Sequence, residues 1–321
     1  MLFTFYLLLW TVFIRVLSVT ARPATLRVAS INGTSTTPSN DSLLYSPSSA
    51  GPWNPQGPAG FEITVLHGYQ PLYREACYMS AVHLLATQVT EDFEGRLPIE
   101  TMVYNDPQYH DLTIIVSSLG VDELMLRKFF FWGMAQIMHR MTAHHSFIDS
   151  WYELKWQGKV VGDILFNLNP PRPPLGGKHF QLYKSNEPSI STDAYSLSFE
   201  YRVIGEQLLV DKDVFMATIG ALVQLAQNPE QNFDKFAGGF PTAPVIHPVY
   251  NVRIFWTNSQ PRHPLSLTKR LIVDSMVATM TYGLRFGDFH ALGVTVKNNR
   301  REVAQGGYYS PPLSTENVSD S

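Results

Sequence analysis

Apolar and polar positions alternate over residues 61–66, which predicts a half-buried strand. Pro71 suits the first turn of a helix running to about Val89. Residues 112–118 are apolar enough for a second strand. Asp122 is placed to cap the next helix, its carboxylate meeting free amides of the first turn. That helix carries Leu124, Met125, Phe129, Phe130, Phe131, Trp132, Met134, Ile137, Met138 and Met141. It is apolar nearly all round, so it is expected to be sandwiched rather than laid on the surface. Residues 151–156 and 159–166 then read as a hairpin with Gln157-Gly158 at its turn.

The same order returns further along the chain. Residues 195–203 alternate as a strand, and Asp211 caps a helix running through Gln227. Residues 250–256 form a strand, and Ser266 caps a long helix ending near Gly287. Residues 289–296 and 302–309 make the last hairpin, with Asn298-Asn299 at the turn. At an offset of about 142, Arg127-Lys128 falls on Lys269-Arg270, Met134 on Met276, Met138 on Met280, Phe147 on Phe289 and Val161 on Val303. Self-similarity of this kind constrains architecture more than a single motif does. The expected fold is α+β: two diverged β-α-β-α-β-β copies packed as a pseudo-twofold duplicated domain. That packing buries the long Phe/Met helices between the copies and leaves a seam where a ligand could sit.

The expected boundaries follow from composition. Residues 1–21 read as a signal peptide and 22–60 as a disordered leader rich in Ser, Thr and Pro, with Trp53 as its one candidate for docking. The first copy spans 61–168 and a proline-rich linker 169–194. The second copy spans 195–310, and 311–321 are a disordered polar tail. The apolar run over residues 2–14 is too short for a bilayer helix, which needs about 20 residues, and residues 19–21 supply the small side chains of a signal-peptidase site. The alternative is a membrane anchor over residues 2–21 with Arg15 snorkelling. Sequons at Asn32, Asn40 and Asn317 lie in polar terminal segments and fit a secreted, extracellular glycoprotein.

With 45% apolar and 12% aromatic residues the chain can fill a core. A net charge of −3 gives no basic field for nucleic acid. Cys77 is the only cysteine, so no internal disulfide exists and the apolar core must hold the fold. Cys77 sits in an apolar helical pattern and reads as a small buried hydrophobe; His83, six positions on, is a poor partner for a nucleophile.

Candidate chemistry is sparse. No nucleophile elbow, zinc-protease helix, phosphate loop or dinucleotide glycine pattern is present. The best polar cluster is His139, His144, His145 and Asp149, at the end of the first long helix and in the turn after it. Histidines there could move protons or bind metal, yet they also suit a helix C-terminus, and a spacing of five does not put His139 and His144 on one face. The equivalent turn of the second copy holds Asp288 and His290. Trp151, Tyr152, Trp156, Trp256, Tyr308 and Tyr309 fall on predicted strands, either as core or as an exposed binding platform. Arg300-Arg301, in the last hairpin turn, is a dibasic processing candidate.

Two functions fit this pattern. The first is a secreted, non-catalytic binding or interaction protein, needing no cofactor or metal, whose partner is a protein or a small molecule. The second is a secreted hydrolase or isomerase with His144, His145, Asp149, Asp288 and His290 lining one cleft between the copies.

Overall fold

Two sheets, antiparallel except for one short parallel pair at the edge of the first, share one pattern of strands. The computed structural model describes residues 57–120, 123–168, 180–181, 197–228, 252–259 and 268–310. The expected signal segment, the three sequons, Trp53 and the caps Asp122 and Ser266 lie outside these residues, as does the expected linker apart from residues 180–181. In chain order the elements are β1 (Phe61–Pro71), α1 (Arg74–Ala86), β2 (Thr101–Asp106), β3 (Tyr109–Ser117), α2 (Arg127–Ala143), β4 (Ile148–Trp156) and β5 (Lys159–Asn167). After them come β6 (Phe180–Gln181), β7 (Leu197–Leu209), α3 (Asp211–Gln227), β8 (Arg253–Asn258), α4 (Lys269–Phe286), β9 (Phe289–Asn298) and β10 (Arg301–Tyr309).

The first sheet runs β1-β4-β5-β3-β2-β6 and the second β7-β9-β10-β8. Removing β2 and β6 leaves the same order in both. The correspondence holds residue by residue. Ser150 faces Phe166 as Leu292 faces Tyr308, each 142 positions on. Phe166 then faces Ile114 as Tyr308 faces Ile254. Even the irregularity is shared: one extra residue, Val161 in β5 and Val303 in β10, bulges at equivalent places. The hairpin turns match too. Gln157-Gly158 and Asn299-Arg300 all have positive φ, as two-residue turns that follow strand twist require.

The duplicated α+β architecture is therefore as expected, with local corrections. Pro71 ends β1 instead of opening a helix, which an edge strand tolerates because no neighbour needs its missing N–H. α2 begins at Arg127 after the N-cap Leu126, leaving Leu124 and Met125 outside it. Val210, not Asp211, is the N-cap of α3; Asp211 stands in the first turn, where its charge suits the helix dipole. Thr268 caps α4 by accepting from the Leu271 N–H at 3.2 Å. Strand β2 has no counterpart among the described residues of the second copy, and the repeat did not foretell it.

Each sheet buries one face under its own helices, and the two helical layers pack together: α1 on α3, α2 on α3 and α4 on α1. The layers thus run sheet, helices, helices, sheet. The innermost helices are α1 and α3, the first of each copy, while α2 and α4 flank them. Exchanging the copies maps the α2–α3 contact onto α4–α1 and α1–α3 onto itself, which defines a pseudo-twofold. A ladder of rings marks it. Phe147 meets Tyr78 edge-on at 5.4 Å. Tyr78 stacks on Phe215 at 4.6 Å, nearly parallel. Phe215 meets Phe289 edge-on at 5.5 Å. Read from either end, the ladder is the same.

Complementary volume changes keep both cores full. Where the first copy pairs Val116 with Ile164, the second pairs Trp256 with Gly306. A Cβ on Gly306 would fall inside the Trp256 ring. The candidate aromatic platform is mostly core: Tyr152, Trp256 and Tyr308 are buried, and Trp151, Trp156 and Tyr309 are half-buried.

Phe215→Ala is expected to cost about 3–5 kcal/mol of stability, the range for a buried aromatic removed from a packed core, read by urea denaturation. Gly306→Ile is expected to cost about 1–3 kcal/mol by overpacking. Adding Trp256→Val, which restores the first copy's pair, recovers part of that loss in a double-mutant cycle.

Candidate functional site

The five sequence-predicted residues lie in and just after the turns that join α2 to β4 and α4 to β9. His144 is the C-cap of α2, its N–H donating to the Arg140 carbonyl at 3.0 Å. His145 follows with φ 49, its N–H donating to the Thr142 carbonyl. The equivalent residue ending α4 is Gly287, with φ 81. The left-handed conformation is easy for glycine and uncommon for other residues, so His145 does in the first copy the turn-making that Gly287 does in the second. Both histidines are exposed. Asp149 is half-buried and accepts the Gln70 N–H at 2.7 Å, tying down the irregular end of β1.

In the second copy, Asp288 is exposed and faces the seam. It belongs to a group with Asp211 at the start of α3 and Arg74 and Glu75 at the start of α1. Burial raises the Asp211 carboxyl above its ordinary value; Arg74 opposes that shift, and Asp288 and Glu75 add to it. His290 pairs with Leu208 across β9 and β7, its Nδ1 buried without a hydrogen-bond partner. Tyr78 and Phe215 stand between the two turns, because the ring ladder runs from Phe147 to Phe289. Only Asp288 reaches the charged group at the seam, while Asp149 is bound within its own copy. Among the described residues no three His, Cys, Asp or Glu side chains form a metal-holding group.

His144 opens instead onto a pocket of about 430 Å³ on the outer side of α2. Its lining is Phe61, Gln136, His139, Arg140, Ala143 and His144. The helical positions follow the i, i+3, i+4, i+7, i+8 spacing of one face. His139 and His144 thus share a site, against the expectation from their five-residue separation. At about 100° per residue they stand about 140° apart, and Arg140 and Ala143 fill the arc between them. Phe61 walls the pocket, its ring stacked on Phe129 and edge-on to Trp132. Arg140 donates from Nη1 to the Ile63 carbonyl at 3.1 Å, which fixes the guanidinium over β1.

A second polar site was not foreseen. Asp106, the last residue of β2, is fully buried and lies 2.6 Å from His83 Nδ1 on α1. The Gln108 N–H donates to its other oxygen at 2.8 Å, and the Tyr104 hydroxyl donates weakly at 3.4 Å. Burial pushes the Asp106 carboxyl up, but the hydrogen bond and charge of His83 outweigh it, and the net value lies below the ordinary carboxylate range. The pair clasps the β2–β3 hairpin to α1. His83 thus has a partner, though not Cys77. Cys77 is fully buried, and burial pushes its thiol up to about 12.

The lowered Asp106 value contributes stability that is present above the unfolded carboxylate value of about 4 and is lost as pH falls through the folded value. Asp106→Asn is therefore expected to destabilise strongly near pH 6, with the gap from the parent shrinking near pH 2.5, as read by urea denaturation at about those two pH values. The Cys77 thiol is expected to resist a maleimide reagent in the native protein and to react fully in denaturant, as counted by intact mass.

No helix among the described residues is long and apolar enough to cross a membrane. No protein-family model matches the chain, and no curated protein matches it. Among solved structures, it is similar to the tandem DUF26 ectodomain of the cysteine-rich receptor-like protein PDLP8 from Arabidopsis thaliana. That similarity has 10% identity and a TM-score of 0.21, over 77% of this chain and 96% of the other.

Proposed function

We propose that this chain is a secreted, non-catalytic binding or interaction protein. The observation that carries the reading is the composition of the pocket on α2. Gln136, His139, Arg140 and His144 supply hydrogen-bond donors beside the Phe61 ring, and the lining includes no hydroxyl, thiol or carboxylate. Such a set can hold and orient a ligand, while acyl or glycosyl transfer draws on a nucleophile or paired carboxylates. The scatter of the other candidates supports the same reading. Asp149 braces the end of β1, and Asp288 lies on the far side of the ring ladder from His144. Secretion rests on the apolar N-terminal run and its small-residue cleavage site, with glycans at Asn32, Asn40 and Asn317.

Native mass spectrometry of the protein recovered from culture medium tests the proposal. The expected result is a chain beginning at Arg22, with mass lost on deglycosylation, that carries a small molecule or a partner in stoichiometric amount. His144→Ala is expected to reduce that occupancy and His290→Ala to leave it unchanged. Chain retained in the cell membrane with residues 2–21 intact would overturn secretion. A His290→Ala variant that keeps its fold but loses occupancy as His144→Ala does would bring back the cleft between the copies.

A further inference from the structure

The pseudo-twofold supplies an internal comparison for the pocket. Arg140 of α2 corresponds to Tyr282 of α4, and His144 to Phe286, each at the same offset that relates the paired strands. In the second copy these rings pack on each other and on the sheet. Tyr282 stacks on Tyr201 of β7 at 4.0 Å, and Phe286 packs on Tyr282 at 4.6 Å. In the first copy the place is open, and a guanidinium and two imidazoles surround it. The matching helix positions therefore carry stacked aromatics in one half, with Phe286 still 64% exposed, and hydrogen-bonding side chains around a pocket in the other.

Resting on the reading of the chain as a binding protein, we propose that this pocket binds a small organic anion, a carboxylate joined to a flat apolar body. Arg140 is the anchor. Its guanidinium carries five N–H donors, of which Nη1 is committed to the Ile63 carbonyl, so the strand fixes its plane while the remaining edge meets a carboxylate in the forked geometry that arginine favours. His139 and His144 flank it in the lining. Phe61, braced by Phe129 and Trp132, offers an apolar wall to the ligand body, and Ala143 leaves the room a larger side chain would take. No carboxylate among the lining residues competes for the arginine. A volume of about 430 Å³ lies at the small-ligand end of the range for such sites, roughly 300–1,000 Å³.

Phenylacetate and its neutral isostere phenylacetamide, titrated into the purified protein and followed by isothermal calorimetry and by NMR of the histidine rings, test the assignment. Phenylacetate is expected to bind at least about tenfold more tightly than the amide, the factor given by about 1.4 kcal/mol. Arg140→Ala is expected to weaken phenylacetate by at least about tenfold and to leave the amide unchanged. The triple variant Val65→Tyr, Arg140→Tyr, His144→Phe, which also supplies the counterpart of Tyr201, copies the rings that the second half uses; it is expected to fold and to bind neither probe. Equal affinity for acid and amide, absence of phenylacetate binding, or full affinity in Arg140→Ala would each overturn the anion site. Recovery of phenylacetamide as phenylacetate and ammonia would instead overturn the non-catalytic reading and leave the anion site standing.

Discussion

The structure depends on two rings, Tyr78 and Phe215, stacked face to face where the innermost helices cross the pseudo-twofold. Each half is a sheet with helices on one face, and such a unit leaves an apolar helical surface with nothing to cover it. The only cysteine is buried inside α1, so no disulfide joins the halves. Each half must therefore cover the other. The stack aligns α1 on α3, and Phe147 and Phe289 extend it edge-on to the start of β4 and β9. Aromatic pairs in these geometries add about 0.5–1.5 kcal/mol each beyond area burial, and here they also set the register between halves.

Within that frame the copies have changed by compensation. Bulge, turn geometry and strand register are retained, because a shift of one residue would turn every inward side chain outward. Volumes are exchanged, as Val116 with Ile164 becomes Trp256 with Gly306. Tyr78 and Phe215 differ by one hydroxyl, and that hydroxyl finds Thr142 at 2.8 Å. Among the described residues the β2–β3 hairpin occurs in the first half, held down by Asp106 and His83. Features that touch the axis are conserved in kind, and features remote from it have drifted.

Much of this fold was legible as pattern. Strand alternation, the apolar long helices and the offset shared by Met134 with Met276 foretold the repeat, because core positions keep their character and spacing. Strand β2 was missed since its inward phase, Met102, Tyr104 and Asp106, ends in a carboxylate that reads as a surface residue until His83 is known to face it. The helix starts were misplaced where an acidic residue looked like a cap, as at Asp211, though the extended residue before it held that position. The pocket was half visible. His139 and His144 stood out as histidines, but Gln136, Arg140 and Ala143 show their meaning only as a stripe on an otherwise buried helix, and Phe61 joins them only through the sheet. The pairing of a site in one copy with its aromatic counterpart in the other needed the strand registers.

A residue on a twofold axis meets its own symmetry mate. If the two halves were identical chains, position 78 would stack on itself, and the ladder of four rings would be an isologous interface of the kind that builds homodimers. The present chain has the geometry of such a dimer with its subunits joined. Joining them frees each half from having to serve both roles at once. One can be tuned for cohesion while the other becomes hollow, a division of labour closed to a symmetric pair, in which every opening made in one subunit is made in both.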